Sequence, residues 1–233
     1  MYYHLNDHIY VTRFRDEFIV LDTKKDKYTI YLKQLSELLS TVFEKKISSE
    51  NKSIVKKLLN DNVIVAKDTP YPFHISMNLT STGVSNADWR LPLNTKKIKI
   101  NPTVLNALFT LIKINFYIKA NGLYSAIHLI KRSKKNQSKY TVPQEEDLIN
   151  LANIVNKACL IYPTRTKCLE WAMTFVLLAL KRKWKCNLEI GVQNYPFFAH
   201  AWVECAGKVV MDSQDLRQGL AVILNEPFRK LKI

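Results

Sequence analysis

The sequence predicts an α+β protein, and three observations carry the prediction. Short runs rich in β-branched and aromatic residues open the chain. Stretches with apolar residues three and four apart fill its middle, and alternating strands return near its end. The third observation is the order of chemistry in the last third: Cys168 starts an apolar helical stripe, His200 lies on an alternating strand and Asp212 ends the next strand. A thiol, an imidazole and a carboxylate on helix, strand and strand are the parts of a nucleophilic site. The thiolate attacks a carbonyl, the imidazole accepts and returns the proton, and the carboxylate orients the imidazole.

The first third reads as a unit of its own, residues 1–66. Ile9-Tyr10-Val11-Thr12, Phe18-Ile19-Val20-Leu21-Asp22 and Tyr28-Thr29-Ile30-Tyr31 are three strands, separated by polar turns. Two helices come next, one carrying Leu32, Leu35, Leu38, Leu39, Val42 and Phe43, the other Ile54, Val55, Leu58 and Leu59, with Ser48 or Ser49 as its cap. Asn62-Val63-Ile64-Val65 closes the unit. Three strands and then helices in this length resemble a winged-helix module. Residues 67–97, with Pro70, Pro72, Gly83 and Pro92 among many Ser, Thr and Asn, read as a connector that Trp89 and Leu91 pin to a core.

Residues 98–233 start as a helical segment. Pro102 sits at a first helical position, Val104, Leu105, Leu108, Phe109, Leu111 and Ile112 come after it, and Gly122 ends the helix. A second helix spans about Leu123 to Lys131. A third starts near Pro143, with Glu145 to Asp147 in its first turn. In the next helix Leu169, Ala172, Met173, Val176, Leu177 and Leu180 form a buried stripe. Thr164 or Thr166 would cap it, putting Cys168 in the first turn, where free N–H groups and the helix dipole favour a thiolate and can bind an oxyanion. A small buried hydrophobe is the plainer role for one cysteine.

The segments after Cys168 supply its partners. Leu188 to Val192 is a strand, Gln193 to Phe198 a loop, and Ala199 to Glu204 a strand with His200, Trp202 and Glu204 on one face. Gly207 marks a hairpin and Lys208 to Asp212 returns. For His200 to face Asp212 directly, Glu204 must pair with Lys208 across a three-residue loop, Cys205-Ala206-Gly207; a two-residue loop at Ala206-Gly207 would turn Asp212 to the other face. Asp215 is the second choice for the carboxylate. The whole reads as a papain- or transglutaminase-like nucleophilic site.

Composition bounds the partners. The chain has 233 residues, 47% of them hydrophobic and only 5 of them glycine, which excludes a disordered or fibrous protein. Its 35 basic and 20 acidic side chains leave a net charge of +15, which suits an acidic partner or a solvated basic surface. The 4 cysteines form no C-x-x-C pair and no zinc spacing, so no metal site is expected. Met1-Tyr2-Tyr3-His4 lacks the start of a signal peptide, and Val104 to Ile118 is too short and polar for a membrane span, so a cytoplasmic protein with free thiols is expected. Cys159, Cys186 and Cys205 are given no chemical role.

At this point a family resemblance becomes specific. Cys168-Leu169, Gly191-Val192, Pro196 to Glu204 (PFFAHAWVE), Gly207 and Val209 to Asp212 (VVMD) resemble the leader peptidases of lasso-peptide biosynthesis. Met211 stands where that family often has asparagine. The resemblance implies a fused precursor-recognition element in the first third and a transglutaminase-like protease core in the last. It implies cleavage of a ribosomal precursor between leader and core, with Cys168 as nucleophile, His200 as base and acid, and Asp212 as orienter. It further implies that the leader adds as a strand beside Tyr28, Thr29, Ile30 and Tyr31, with Val55, Leu58 and Leu59 lining the groove. No cofactor of its own is implied; ATP would serve the partner cyclase that closes the macrolactam. Two other readings stay open: acyl transfer to an amine in place of water, and a basic winged-helix protein binding DNA. The latter has little support, because no helix there gathers Arg, Asn and Gln on one face.

Overall fold

The computed structural model describes residues 2–31, 52–81, 83–84, 91 and 100–231. The expected helix through Leu32 to Phe43, the Ser48/Ser49 cap and Trp89 lie outside them. Strands β1 (Tyr2–Leu5), β2 (Ile9–Phe14), β3 (Glu17–Asp22) and β4 (Lys27–Tyr31) open the chain, and helix α1 (Lys52–Asn60) comes next. Strand β5 (Ile64–Lys67) pairs antiparallel with β1. The sequence reading missed β1 and ended β5 at Val65, two residues early. A four-residue strand whose partner lies some sixty residues away leaves no local signal.

Strands β2, β3 and β4 form an antiparallel meander, and β6 (Met77–Asn78) from the connector adds parallel to β2, in the order β4-β3-β2-β6. This sheet is buried on both faces. Tyr10, Phe14, Ile19 and Leu21 belong to the main core, whereas Ile9, Val11, Phe18 and Val20 belong to a second core with β1, β5 and α1. Each such side chain contributes roughly 1.5–3 kcal/mol over leaving it in water. The predicted strands lack clean polar–apolar alternation for the same reason.

The helical segment is α2 (Pro102–Ser133), broken at Gly122, whose φ of 72° and ψ of 178° no helix contains. The Asp26 carboxylate, from the β3–β4 turn, accepts the Leu123 N–H at 3.1 Å and restarts the helix. Asn101 caps the beginning, accepting from the Val104 N–H at 2.9 Å. Helix α3 (Glu145–Ile161) places Glu145, Glu146 and Asp147 in its first turn, as expected. Helix α4 (Cys168–Lys181) is buried almost throughout and packs between α2, α3 and the final sheet.

That sheet is antiparallel, in the order β10-β7-β8-β9: β7 (Cys186–Gln193), β8 (Phe198–Cys205), β9 (Lys208–Val210) and β10 (Ala221–Glu226), with the short α5 (Leu216–Gly219) before β10. Strand β10 packs across β2, and Tyr10 donates to the buried Glu226 carboxylate at 3.0 Å. The two sheets are thereby joined through one core. No helix of the described residues is long and apolar enough to cross a membrane.

Candidate active site

Cys168 is the first residue of α4. The expected threonine caps are not used: Lys167 is the N-cap, and the Glu170 carboxylate reaches back to accept its N–H at 2.9 Å. The other oxygen of Glu170 accepts from Asn115 on α2 at 2.8 Å. One buried carboxylate therefore ends the helix and anchors its first turn, the turn that carries the thiol.

His200 lies on β8 opposite Gly191, 5% exposed. Its Nε2 is 2.8 Å from Asp212 Oδ2, and Oδ1 accepts the Ser213 N–H at 2.8 Å. The ring also shares a hydrogen bond with the Cys168 thiol. The three predicted residues thus stand in one chain. Burial would raise the thiol pKa, but His200 and the N–H groups of Ala201 and Leu169 outweigh it and hold Cys168 below its ordinary value. Burial likewise disfavours a charged imidazole, yet the hydrogen bonds to Asp212 and the thiol hold His200 at about 9. Both shifts favour the thiolate and imidazolium forms of the pair.

The register differs from the expected one. Cys205 pairs with Lys208 and Val203 with Val210, leaving the two-residue turn Ala206-Gly207, both residues at positive φ (49° and 90°). In a continued strand this register would point Asp212 away from His200. Instead β9 stops at Val210, and Met211 takes the left-handed conformation with φ 56°, which reverses the alternation and returns Asp212 to the imidazole. Strand β9 pairs with β8 only as far as Val203, and the Ala201 N–H farther back along β8 meets the sulfur. Asparagine is the side chain that tolerates this backbone best after glycine, so Met211→Asn is expected to keep fold and geometry. Met211→Val should cost about 1–2 kcal/mol, because a β-branched residue resists φ > 0. The shift of the urea midpoint measures it, and an unchanged midpoint for Val would contradict this role for Met211.

The alternation of β8 put Trp202 on the His200 face, as a wall of the site or as core packing, but sequence reasoning missed the network that holds it. The His200 ring lies between Phe198 and Trp202, each 6.1 Å away centre to centre. The Trp202 indole N–H donates to Glu189 Oε2 at 3.0 Å, and Glu189, 1% exposed, also takes Asn225 Nδ2 at 2.6 Å and faces the Arg217 guanidinium. Burial pushes the Glu189 carboxyl up, against the opposing pull of Arg217, Asn225 and Trp202. A lone glutamate inside Leu188-Glu189-Ile190 was the available signal. Gly191 is needed for contact: a Cβ there would fall 2.4 Å from the Trp202 ring.

The other expected residues are more scattered. Tyr28, Thr29, Ile30 and Tyr31 form β4, an edge of its sheet. Val55 and Leu58 are buried at 5% and 3% in the second core and Leu59 is partly buried beside them, so at least the first two pack inward and do not line an open face. Cys186 and Cys205 are opposed on β7 and β8 and buried, and all four cysteines are free thiols. Among the described residues no group of three or more His, Cys, Asp or Glu side chains could hold a metal ion.

A family model described as the transglutaminase-like superfamily matches residues 110–225, which include the whole cluster. The chain is thus α+β with a transglutaminase-like domain. The microcin J25-processing protein McjB of Escherichia coli is 24% identical over 215 residues, covering 91% of this chain and 96% of that protein. No solved structure matches.

Proposed function

We propose that this protein is a cysteine peptidase of lasso-peptide biosynthesis, which binds the leader of a ribosomal precursor and severs it from the core. The observation that carries the reading is the continuous hydrogen-bonded chain from Cys168 through His200 to Asp212 at a helix N-terminus. The likeness to a microcin J25-processing protein over nearly the whole chain supports the substrate class.

In this reading the Cys168 thiolate adds to the carbonyl that joins leader to core. The amide N–H of the first turn of α4 faces the developing oxyanion. The His200 imidazolium gives its proton to the departing amine, the C–N bond breaks, and the leader remains as a thioester on Cys168. His200, now neutral, takes a proton from water, whose oxygen attacks the thioester; the leader leaves as a carboxylic acid and the thiolate–imidazolium pair is restored. Asp212 keeps the ring oriented. The free amine of the core is the group that a partner cyclase would join in the macrolactam, in an ATP-dependent step outside this chain. The leader would lie along β4, the edge strand of the described sheet, beside Thr29 and Ile30, backbone bonds supplying affinity.

The test is mass spectrometry of a precursor peptide incubated with the wild type and with Cys168→Ala, with and without the cyclase. A free leader fragment with the wild type only is expected, and its mass places the scissile bond. An intact precursor throughout would sink the peptidase reading for that substrate.

A further inference from the structure

The first third of the chain reaches into the site. Tyr28, the second residue of β4, packs on the main core together with Cys168 and Ala199. Its ring stands 5.1 Å from that of Phe197, three residues before His200 in the loop that leads into β8. Asn194, at the other end of that loop, donates to Glu17 of β3 at 2.7 Å, which fastens the loop to the N-terminal sheet. Phe197 is 44% exposed and Tyr195 73%, so the loop offers aromatic surface at the mouth of the site. The Tyr28 hydroxyl is pushed up to about 12, mostly by burial and next by the charge of Cys168, so it stays a neutral apolar wall at every working pH.

We infer that Tyr28 and Phe197 together form the specificity wall for the peptide side chain just before the attacked carbonyl, and that they favour an apolar one. Nothing in the roles given to Cys168, His200 and Asp212 requires this pair. The Tyr28 ring from the N-terminal sheet meets the Phe197 ring from the loop that leads into His200, and Tyr28 lies close enough to Cys168 to feel its charge, so substrate selection is divided between the two parts of the chain. A bulky apolar side chain gains by covering both rings, whereas glycine gains nothing. Discrimination by such a surface is about tenfold or more. The wall also makes the N-terminal sheet part of the reaction centre: a short substrate that never touches Thr29 or Ile30 still meets Tyr28.

This inference rests on Cys168 being the nucleophile, and the experiment separates the two claims. The probes are 4-nitrophenyl esters of acetyl-leucine and acetyl-glycine, and of acetyl-leucyl-glycine and acetyl-glycyl-glycine, which test the first and second residue before the carbonyl. The sulfur displaces 4-nitrophenolate, whose absorbance reports the thioester formed, and water then releases the acid. Leucine is expected to be preferred over glycine by about tenfold or more at the first position, the residue that carries the attacked carbonyl, and by less at the second. In Tyr28→Ala and in Phe197→Ala that ratio should fall below about threefold. Tyr28→Phe keeps the ring and should keep the ratio. Alkylation of Cys168 by iodoacetamide in each variant, set against none at that position in Cys168→Ala, shows that the nucleophile is present and reactive. Phe197 is exposed enough for its alanine variant to fold even where Tyr28→Ala does not. A leucine preference that survives both alanine variants, or no preference in the wild type, overturns the wall. A wild type that forms no more thioester than Cys168→Ala overturns the peptidase reading, and the wall with it.

Discussion

His200→Ala is expected to slow cleavage of the precursor by about a thousandfold or more, since both proton transfers run through this ring. The same change should be visible without any substrate. In the wild type the thiol is held below its ordinary value by the hydrogen bond and charge of His200, together with the Ala201 and Leu169 N–H groups, against a burial effect that raises it. With the imidazole gone, burial dominates, and the pH at which iodoacetamide alkylates Cys168 should rise into or above the ordinary thiol range. The sign for the imidazole is set in the same way. His200 titrates at about 9 because the hydrogen bond to Asp212 and the thiol outweigh its burial, so the imidazolium that protonates the leaving amine is present below that pH and lost above it. The wild-type rate should therefore fall on an alkaline limb near 9, with an acid limb where Cys168 becomes a thiol. A variant that keeps wild-type cleavage, or whose alkylation profile does not move, would remove His200 from the mechanism.

The largest loss of stability is expected at Glu189. Its carboxylate is 1% exposed and serves Trp202, Asn225 and Arg217 at once. Glu189→Ala leaves a guanidinium and two N–H donors without their acceptor in a place water scarcely enters, which should cost about 3–5 kcal/mol. Arg217 keeps a route to solvent, with 24% of its side chain exposed, so the lower end of that range is expected. Urea unfolding should show the midpoint falling at unchanged slope. Glu189→Gln retains an acceptor for Trp202 and should lose less. Because Trp202 stands beside the His200 ring, Glu189→Ala should also slow catalysis in the fraction that stays folded. A loss below about 1 kcal/mol would mean that the network is solvated and does not hold Trp202.

Local pattern decided a good deal about this protein. The spacing of Leu169 to Leu180 wrote α4 and put Cys168 in its first turn; the alternation about His200 wrote β8; Gly122 marked the break in α2, and β4 could be read from Tyr28 to Tyr31. These features depend on neighbours a few residues apart, which a sequence displays. The tertiary structure decided what depends on distant partners. It alone set the two-residue turn at Ala206-Gly207 and the left-handed Met211 that brings Asp212 back to His200, because a strand's register is chosen by the packing of its faces and not by its own residues. It alone brought Glu189 to Trp202, Arg217 and Asn225, which lie 13, 28 and 36 residues away in the chain. It also brought the Tyr28 ring to Phe197 and within reach of the charge of Cys168, 140 residues away in the chain. Chemistry that a single segment can hold is legible in its letters, whereas the pKa values, the packing behind His200 and the meeting of two sheets arise only when the core closes.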